Sequence, residues 1–264
     1  HIVGMIKSKK VALITGVSRI KGIGYTLAKT LINKGILVHA TGWSKYDQIT
    51  RFYEKNNCRI SDVKKYFMEN KNNSYYSEID LEMKNSPGKI ILDTINYFGK
   101  LDIVICCHAR SINQNLSELT LDELDKAWFT NVRSTVMLCK LFNNNRTPGK
   151  GGRFIVFTSG QHIEPMANEI PYAISKGALL QMTKTMSDAV IDNGITVNCI
   201  NPGPVDTGYV KQDQLEEIAQ KFPAKRWGTP DDISKLVSWL VSKEAEWMTG
   251  QVIDYEGGFR RYHE

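Results

Sequence analysis

The chain has little from which to build a disulfide framework or a metal site. Its five cysteines, Cys58, Cys106, Cys107, Cys139 and Cys199, are odd in number and show no C-x-x-C spacing. Three of them fall in apolar runs, where cysteine serves as a small hydrophobe. The expectation is reduced thiols in a cytoplasmic protein. No apolar run approaches the roughly 20 residues of a membrane span, so no membrane partner is expected. The opening HIVGMIKSKK has no apolar stretch of the kind a signal peptide needs. His1–Gly4 read as an appendage before a natural start at Met5. The formal net charge is +6, but Lys and Arg are scattered and no aromatic residues interleave with a basic stripe. That pattern suits a solvated surface and excludes nucleic acid as the expected partner. There is no linker, internal repeat or low-complexity tail, and the 264 residues are read as one domain, 5–264.

What is present is alternation. Apolar strands over Val11–Thr15, Ile36–Thr41, Tyr75–Ile79, Leu101–Cys107, Gly152–Ser159, Ile195–Ile200 and Gln251–Ile253 are interleaved with helical patterns. The helical patterns cover Gly22–Asn33, Asp62–Glu69, Ile90–Tyr97, Glu118–Phe142, Tyr172–Asp192 and Asp231–Val241. Continuous apolar strands separated by helices predict an α/β fold, a doubly wound parallel sheet of Rossmann type with helices on both faces.

The first strand runs into Thr15-Gly16-Val17-Ser18-Arg19-Ile20-Lys21-Gly22-Ile23-Gly24. A glycine-rich turn between a strand and a helix is the setting of a dinucleotide fingerprint. Glycines admit a pyrophosphate close to the backbone, and the helix N-terminus favours its charge. A lone glycine turn is weak evidence, and its placement after the first strand strengthens it. An acid at the end of the second strand would bond the ribose 2′-hydroxyl and repel a 2′-phosphate. Here stand Thr41, Gly42, Trp43 and Ser44, with no acid before Asp47, while Arg19, Lys21 and Lys45 are cations. The expected cofactor is NADP(H), with NAD(H) the alternative, and an aspartate placed at Gly42 is expected to reverse that choice. Asp80, in Ile79-Asp80-Leu81, either accepts from an adenine amine or caps the next helix.

Tyr172 and Lys176 stand four apart, on one face of a helix. An ammonium beside a phenol favours the phenolate and makes it a usable proton donor or acceptor near neutral pH. Ser159 ends an apolar run thirteen residues earlier. Together with the glycine turn, this implies carbonyl–alcohol redox chemistry on a nicotinamide.

The glycine turn, Asn131-Val132-Arg133, Ser159 with Tyr172-x-x-x-Lys176, and Asn201-Pro202-Gly203-Pro204-Val205-Asp206-Thr207 resemble, in that order, the short-chain dehydrogenase/reductase family. The ending Met248-Thr249-Gly250-Gln251-Val252-Ile253 with Gly257-Gly258 extends the resemblance over about residues 9–259. The resemblance implies that Tyr172 transfers the proton, that Lys176 lowers the tyrosine's pKa and holds the nicotinamide ribose, and that Ser159 bonds the substrate oxygen. It implies that Asn131 supports a water relay, and that Pro202, Gly203, Val205 and Thr207 cover the nicotinamide. Two departures stand out. The family commonly ends strand four with Asn-Asn-Ala-Gly, and here it reads Cys106-Cys107-His108-Ala109. Ala109 keeps room for the cofactor, and His108 is read as structural or as lining the cleft. The glycine turn is also longer than usual and is similar to that of divergent enoyl reductases, but those place the lysine further from the tyrosine.

The resemblance therefore implies a reductase of a small carbonyl or secondary alcohol, similar to the 3-oxoacyl carrier-protein reductases. A non-catalytic NADP-binding sensor or scaffold is the second class, and it would need none of the proton-transfer groups. Thr207–Phe222, with Tyr209, Val210, Leu215, Ile218 and Phe222, is read as a substrate lid or an amphipathic surface helix. A homodimer or homotetramer is expected by resemblance, through helices near Leu121–Phe142 and Tyr172–Asp192. Met137, Leu138, Leu141, Leu179, Met182 and Met186 would serve that interface or the monomer core.

Overall fold

The computed structural model describes residues 9–50, 59–146, 148, 149, 151–208 and 212–261, with the backbone alone at 212–215. The start at Met5, Cys58, Tyr209, Val210, Lys211 and the side chain of Leu215 lie outside what is described. Seven strands pair in parallel in the order β3-β2-β1-β4-β5-β6-β7. They are β1 Val11–Thr15, β2 Leu37–Gly42, β3 Ser74–Glu78, β4 Ile103–Cys106, β5 Gly152–Phe157, β6 Ile195–Asn201 and β7 Val252–Asp254. Their side chains alternate between two cores. Ala12 and Ile14 of β1 join the core with Leu27, Leu31 and Val237, and Val11 and Leu13 join the core with Ile90, Leu138 and Val197. A strand buried on both faces must be apolar throughout, which is why these runs are legible in the sequence.

The helices are α1 Ile23–Asn33, α2 Ser44–Ile49, α3 Ile60–Glu69, α4 Ser86–Phe98, α5 Leu121–Ala127, α6 Ser134–Asn145, α7 Ile170–Val190, α8 Gln212–Gln220 and α9 Pro230–Leu240. Between α5 and α6, Trp128–Arg133 forms a π-helical segment, so the one or two helices predicted over Glu118–Phe142 are three contiguous helical pieces. Such a widened turn shifts the register of the side chains that follow it, and Asn131 lies inside it. Leu138, Leu179 and Met186 are buried in the monomer, with Leu141 and Met182 packed against that core. Leu138, Leu179 and Met186 thus belong to the monomer core, while Met137, Leu141 and Met182 are half-buried. Among the described residues no helix is long and apolar enough to cross a membrane. Cys106, Cys139 and Cys199 are buried free thiols, and Cys107 is half-buried.

The strand order reverses direction between β1 and β4, which opens a crevice at the carboxyl ends of these strands. The switch sets the place of the site: every connection that leaves a strand's carboxyl end, from β1 through β6, meets there.

Candidate active site

A cavity of about 620 Å³ occupies this crevice. Gly16, Ser18 and Arg19 line it from the first turn, Thr41, Gly42, Trp43, Tyr46 and Asp47 from the end of β2 and α2, and Ile79 to Glu82 from the end of β3. Cys107 to Ser111 line it from the end of β4, Ser159, Met166, Glu169 and Tyr172 from the β5–α7 connection, and Pro204 from the loop after β6. Ser18, Arg19, Trp43, Asp80, Leu81, Ala109, Ser159 and Tyr172, predicted from far-separated stretches, thus meet around one space.

Gly16 holds φ +75°, and a Cβ there would lie 2.5 Å from the His108 backbone nitrogen. Only glycine fits so close to the end of β4. No side chain caps the start of α1, and its first turn holds no acid. Uncapped N–H groups at a helix start, beside Ser18 and Arg19, suit a pyrophosphate. The described residues thus fit a dinucleotide. Lys21 is exposed and does not line the cavity, because the longer turn carries it outward. Gly22, Ile23 and Gly24 shape α1 behind the lining, Pro202, Gly203, Val205 and Thr207 also stand off it, and among the described residues of that loop Pro204 alone reaches it.

The Arg19 guanidinium donates to the Thr207 carbonyl at 3.1 Å and faces Asp47 at 3.6 Å. Asp47 lies beyond the end of β2 in the chain, and α2 brings it back beside Ser18 and Arg19 of the glycine turn. Its Oδ2 is buried with no partner, and burial raises its pKa against the Ser18 bond and the Arg19 charge. Tyr46, also on α2, accepts from the Ser111 backbone nitrogen at 2.7 Å and so closes the outer wall of the cavity. Gly42 cannot carry the aspartate proposed for it. A Cβ there would lie 2.5 Å from the Val17 carbonyl oxygen and 2.6 Å from the Tyr76 hydroxyl. Asp80 does not cap α4, whose N-cap is Asn85; its Oδ1 accepts from the Glu82 nitrogen at 2.9 Å.

At the other end, the Lys176 ammonium lies 5.5 Å from the centre of the Tyr172 ring. It is buried behind the cavity wall and donates to the Phe157 carbonyl at 2.8 Å. Burial lowers its pKa to about 8, so it carries its charge at neutral pH. Thr158 donates to the Lys176 carbonyl at 2.8 Å and so fixes α7 against the end of β5. Asn131 is buried and off the lining. Its amide accepts from the Arg110 nitrogen at 2.7 Å and donates to the Arg110 carbonyl at 2.9 Å and the Ser175 hydroxyl at 2.8 Å. It clamps the loop after β4 to α7. Arg110 is held from its far side by a bidentate pair with Glu123 at 2.8 and 2.7 Å.

His108 is structural. Nε2 donates to the Thr130 carbonyl at 3.0 Å, an acceptor only, which leaves Nδ1 to accept from Thr15 Oγ1 at 2.6 Å. Burial, then the Lys176 charge, lowers its pKa to about 3. The ring is neutral and both nitrogens are committed, so it is no general acid or base at neutral pH. Of the predicted lid, Tyr209, Val210, Lys211 and the side chain of Leu215 lie outside the described residues. Among its described residues none lines the cavity, and Phe222 is buried against Phe259, ring centres 4.9 Å apart. Sequence reasoning missed Tyr46, Asp47, Arg110 and Glu169, none of which belongs to a motif.

A family model described as Enoyl-(Acyl carrier protein) reductase matches residues 16–260. Over 255 residues the chain is 34% identical to the uncharacterized oxidoreductase YjdA of Bacillus subtilis, covering 96% of this chain and 98% of that one. It is 31% identical over 260 residues to a 3-oxoacyl-[acyl-carrier-protein] reductase FabG of Buchnera aphidicola, with coverage of 96% and 98%. Among solved structures it is similar to a blue fluorescent protein from a metagenomic library in complex with NADPH. That likeness has 25% identity, a TM-score of 0.81 and coverage of 95% of this chain and 97% of that chain. Sheet order, crevice and matched length agree, and the chain belongs to the short-chain dehydrogenase/reductases, a family of NAD(P)-dependent oxidoreductases.

Proposed function

We propose that the protein is an NADPH-dependent reductase of small ketones, run in reverse as a secondary-alcohol dehydrogenase. The observation that carries this reading is that Ser159 and Tyr172 line the same cavity as the glycine turn, with the Lys176 ammonium 5.5 Å from the phenol ring. When bound, the nicotinamide supplies the hydride. The rest falls to the chain. Tyr172 gives its phenolic proton to the carbonyl oxygen as that oxygen gains charge. Ser159 donates a hydrogen bond to the same oxygen and holds it in place. Lys176 favours the phenolate left behind, and its bond to the nicotinamide ribose is part of this proposal. Asn131 keeps Arg110 and Ser175 in register, and so keeps the wall opposite Tyr172 in place; the family's water relay through it is part of this proposal.

The cofactor would lie with its pyrophosphate at Gly16, Ser18 and the start of α1, and its adenosine between Trp43, Asp80, Leu81 and Ala109. Arg19 supports a preference for NADPH, as does the lack of an acid from Thr41 to Ser44. The NADPH complex of the similar fluorescent protein is consistent with it. Asp47 acts against the 2′-phosphate and limits that preference. Enoyl reduction is less favoured, because the four-residue Tyr172–Lys176 spacing puts phenol and ammonium together at the cavity wall.

The test is oxidation of NADPH by the purified protein with a panel of ketones, aldehydes and diketones, beside fluorescence titration of NADPH and NADH. Turnover is expected with at least one carbonyl. It should fall by roughly 10²- to 10⁴-fold in Tyr172→Phe, with NADPH affinity kept. NADPH binding without turnover of any carbonyl would identify a binding module, and near-normal turnover by folded Tyr172→Phe would remove Tyr172 as the proton donor.

A further inference from the structure

Glu169 is an acid that the mechanism above does not use. It stands three residues before Tyr172 and lines the cavity with Ser159, Met166, Tyr172 and Pro204. All of these come from the connections that follow β5 and β6, the reaction side of the sheet, whereas Asp47 and Asp80 approach from β2 and β3. The backbone of Glu169 is fixed on three sides. Its nitrogen donates to the Met166 carbonyl at 3.0 Å, and its carbonyl accepts from the Ala173 nitrogen at 2.8 Å. The next nitrogen, of Ile170, donates to the Gln114 carbonyl at 3.1 Å.

The carboxylate itself has no hydrogen bond or ion pair among the described residues. Burial alone perturbs it and raises its pKa. Three other acids near the crevice have partners: Asp47 has Ser18 and Arg19 beside one oxygen, Asp80 accepts from the Glu82 nitrogen, and Glu123 pairs with Arg110; Glu82 lines the cavity from the end of β3. A half-buried carboxylate without a donor is unfavourable until something supplies one. One carried on a fixed backbone beside Ser159 and Tyr172 in the cavity lining is therefore explained by a donor that arrives with the substrate.

We infer that Glu169 is a specificity residue which selects carbonyl compounds bearing a hydrogen-bond donor, a hydroxyl or an ammonium, on the carbon beside the reacting carbonyl. Plain aliphatic ketones and 3-oxoacyl thioesters offer no such donor and leave the carboxylate desolvated. The inference rests on the reductase reading above and narrows its substrate class.

The experiment compares kcat/KM with NADPH for butanone, 3-hydroxybutanone, aminoacetone and an acetoacetyl thioester in the wild type, Glu169→Gln and Glu169→Leu. Unaltered NADPH affinity and thermal unfolding are the folding controls. The wild type is expected to favour the donor-bearing ketones by roughly 10- to 100-fold, the range of a charge-assisted hydrogen bond. Glu169→Leu should erase the preference, chiefly through KM. Glu169→Gln keeps an acceptor oxygen but no charge, so it should retain part of the preference for the hydroxyl and lose that for the ammonium, which separates the two donors. A wild type that favours butanone or the thioester, or a preference unchanged in Glu169→Leu, overturns the inference and leaves the reductase reading intact. Absence of turnover with every carbonyl, despite NADPH binding, removes the reductase reading and the inference with it.

Discussion

Replacing Lys176 by methionine is expected to stabilise the fold while abolishing turnover. The ammonium is buried among Cys106, Cys107 and Cys199, and burial lowers its pKa from 10.5 to about 8. That difference corresponds to a cost of about 3 kcal/mol for keeping the charged form in the folded protein. Methionine keeps the apolar stem and removes the charge. It also deprives the Phe157 carbonyl of its 2.8 Å donor, a loss of about 1–2 kcal/mol. The net gain at pH 7 is then about 1–2 kcal/mol, a rise in Tm of about 2–8 °C for a chain of this size. The pH dependence is the sharper test. Below pH 8 the lysine is protonated in both folded and unfolded chains, and the full cost is present. Between about pH 8 and 10.5 the folded chain has released the proton and the unfolded chain still holds it. Wild-type stability therefore rises with pH relative to the variant, and the gap narrows by up to about 3 kcal/mol. Denaturant melts of both proteins from pH 7 to 10.5, without cofactor, measure it. Parallel stability curves, or a variant less stable than the wild type at pH 7, would refute the reasoning that the site maintains a desolvated cation.

Asp47→Asn removes the carboxylate 3.6 Å from the Arg19 guanidinium. The ratio of NADPH to NADH affinity should rise about tenfold, a 1.4 kcal/mol change, because a 2′-phosphate no longer meets a like charge and a 2′-hydroxyl is left with a neutral acceptor in place of a charged one; fluorescence titration giving an unchanged or lower ratio would contradict this. His39 is fully buried between Thr94 Oγ1 at 2.7 Å and Ser77 Oγ at 2.9 Å, and burial lowers its pKa to about 4. The unfolded chain binds this proton below about pH 6.5 and the folded chain does not, so about 3 kcal/mol of stability should be lost between pH 6.5 and 4. In His39→Gln the acid loss should be smaller by that amount, and equal losses in denaturant melts would exclude His39 as its source.

How much was legible in the sequence follows the physics of each element. The strands were readable because a parallel sheet buried on both faces demands apolar runs, as in residues 11–14 and 154–157. The helix of Tyr172 and Lys176 was readable because its spacing carries the chemistry. α2 was not, because six mostly polar residues have no periodicity to read. Missing α2 hid Tyr46 and Asp47, whose contacts with Ser111 and Ser18 cross the cleft rather than the chain. Reading Gly42 as an open position failed for a related reason. Whether a backbone has room for a Cβ depends on Val17 and Tyr76, which are neighbours in space only. The π-helical turn at Trp128–Arg133 was invisible because its residues are acceptable in an ordinary helix and its departure lies in hydrogen-bond register.

The change from asparagines to Cys106-Cys107-His108 has its explanation in the same kind of non-local contact. A strand end that borders a ligand cleft must be tied down without placing bulk in the cleft. Here one imidazole does so, spanning Thr15 at the end of β1 and Thr130 in the π-helical segment, with Oγ of Ser134, the first residue of α6, 2.8 Å from Nε2. The tie works only if the ring stays neutral, since Nδ1 must accept from Thr15. Burial secures that, and the buried ammonium of Lys176 reinforces it by opposing a second positive charge. The cysteines fit the same constraint: burial pushes the Cys107 thiol up to about 12 and the Cys199 thiol up to about 11, so neither forms a thiolate beside the lysine at neutral pH. His108 and the three cysteines around Lys176 are thus held neutral, and its ammonium stands as the charge facing Tyr172 from within the wall. The electrostatics that the proposed proton transfer requires are set by burial around one cation.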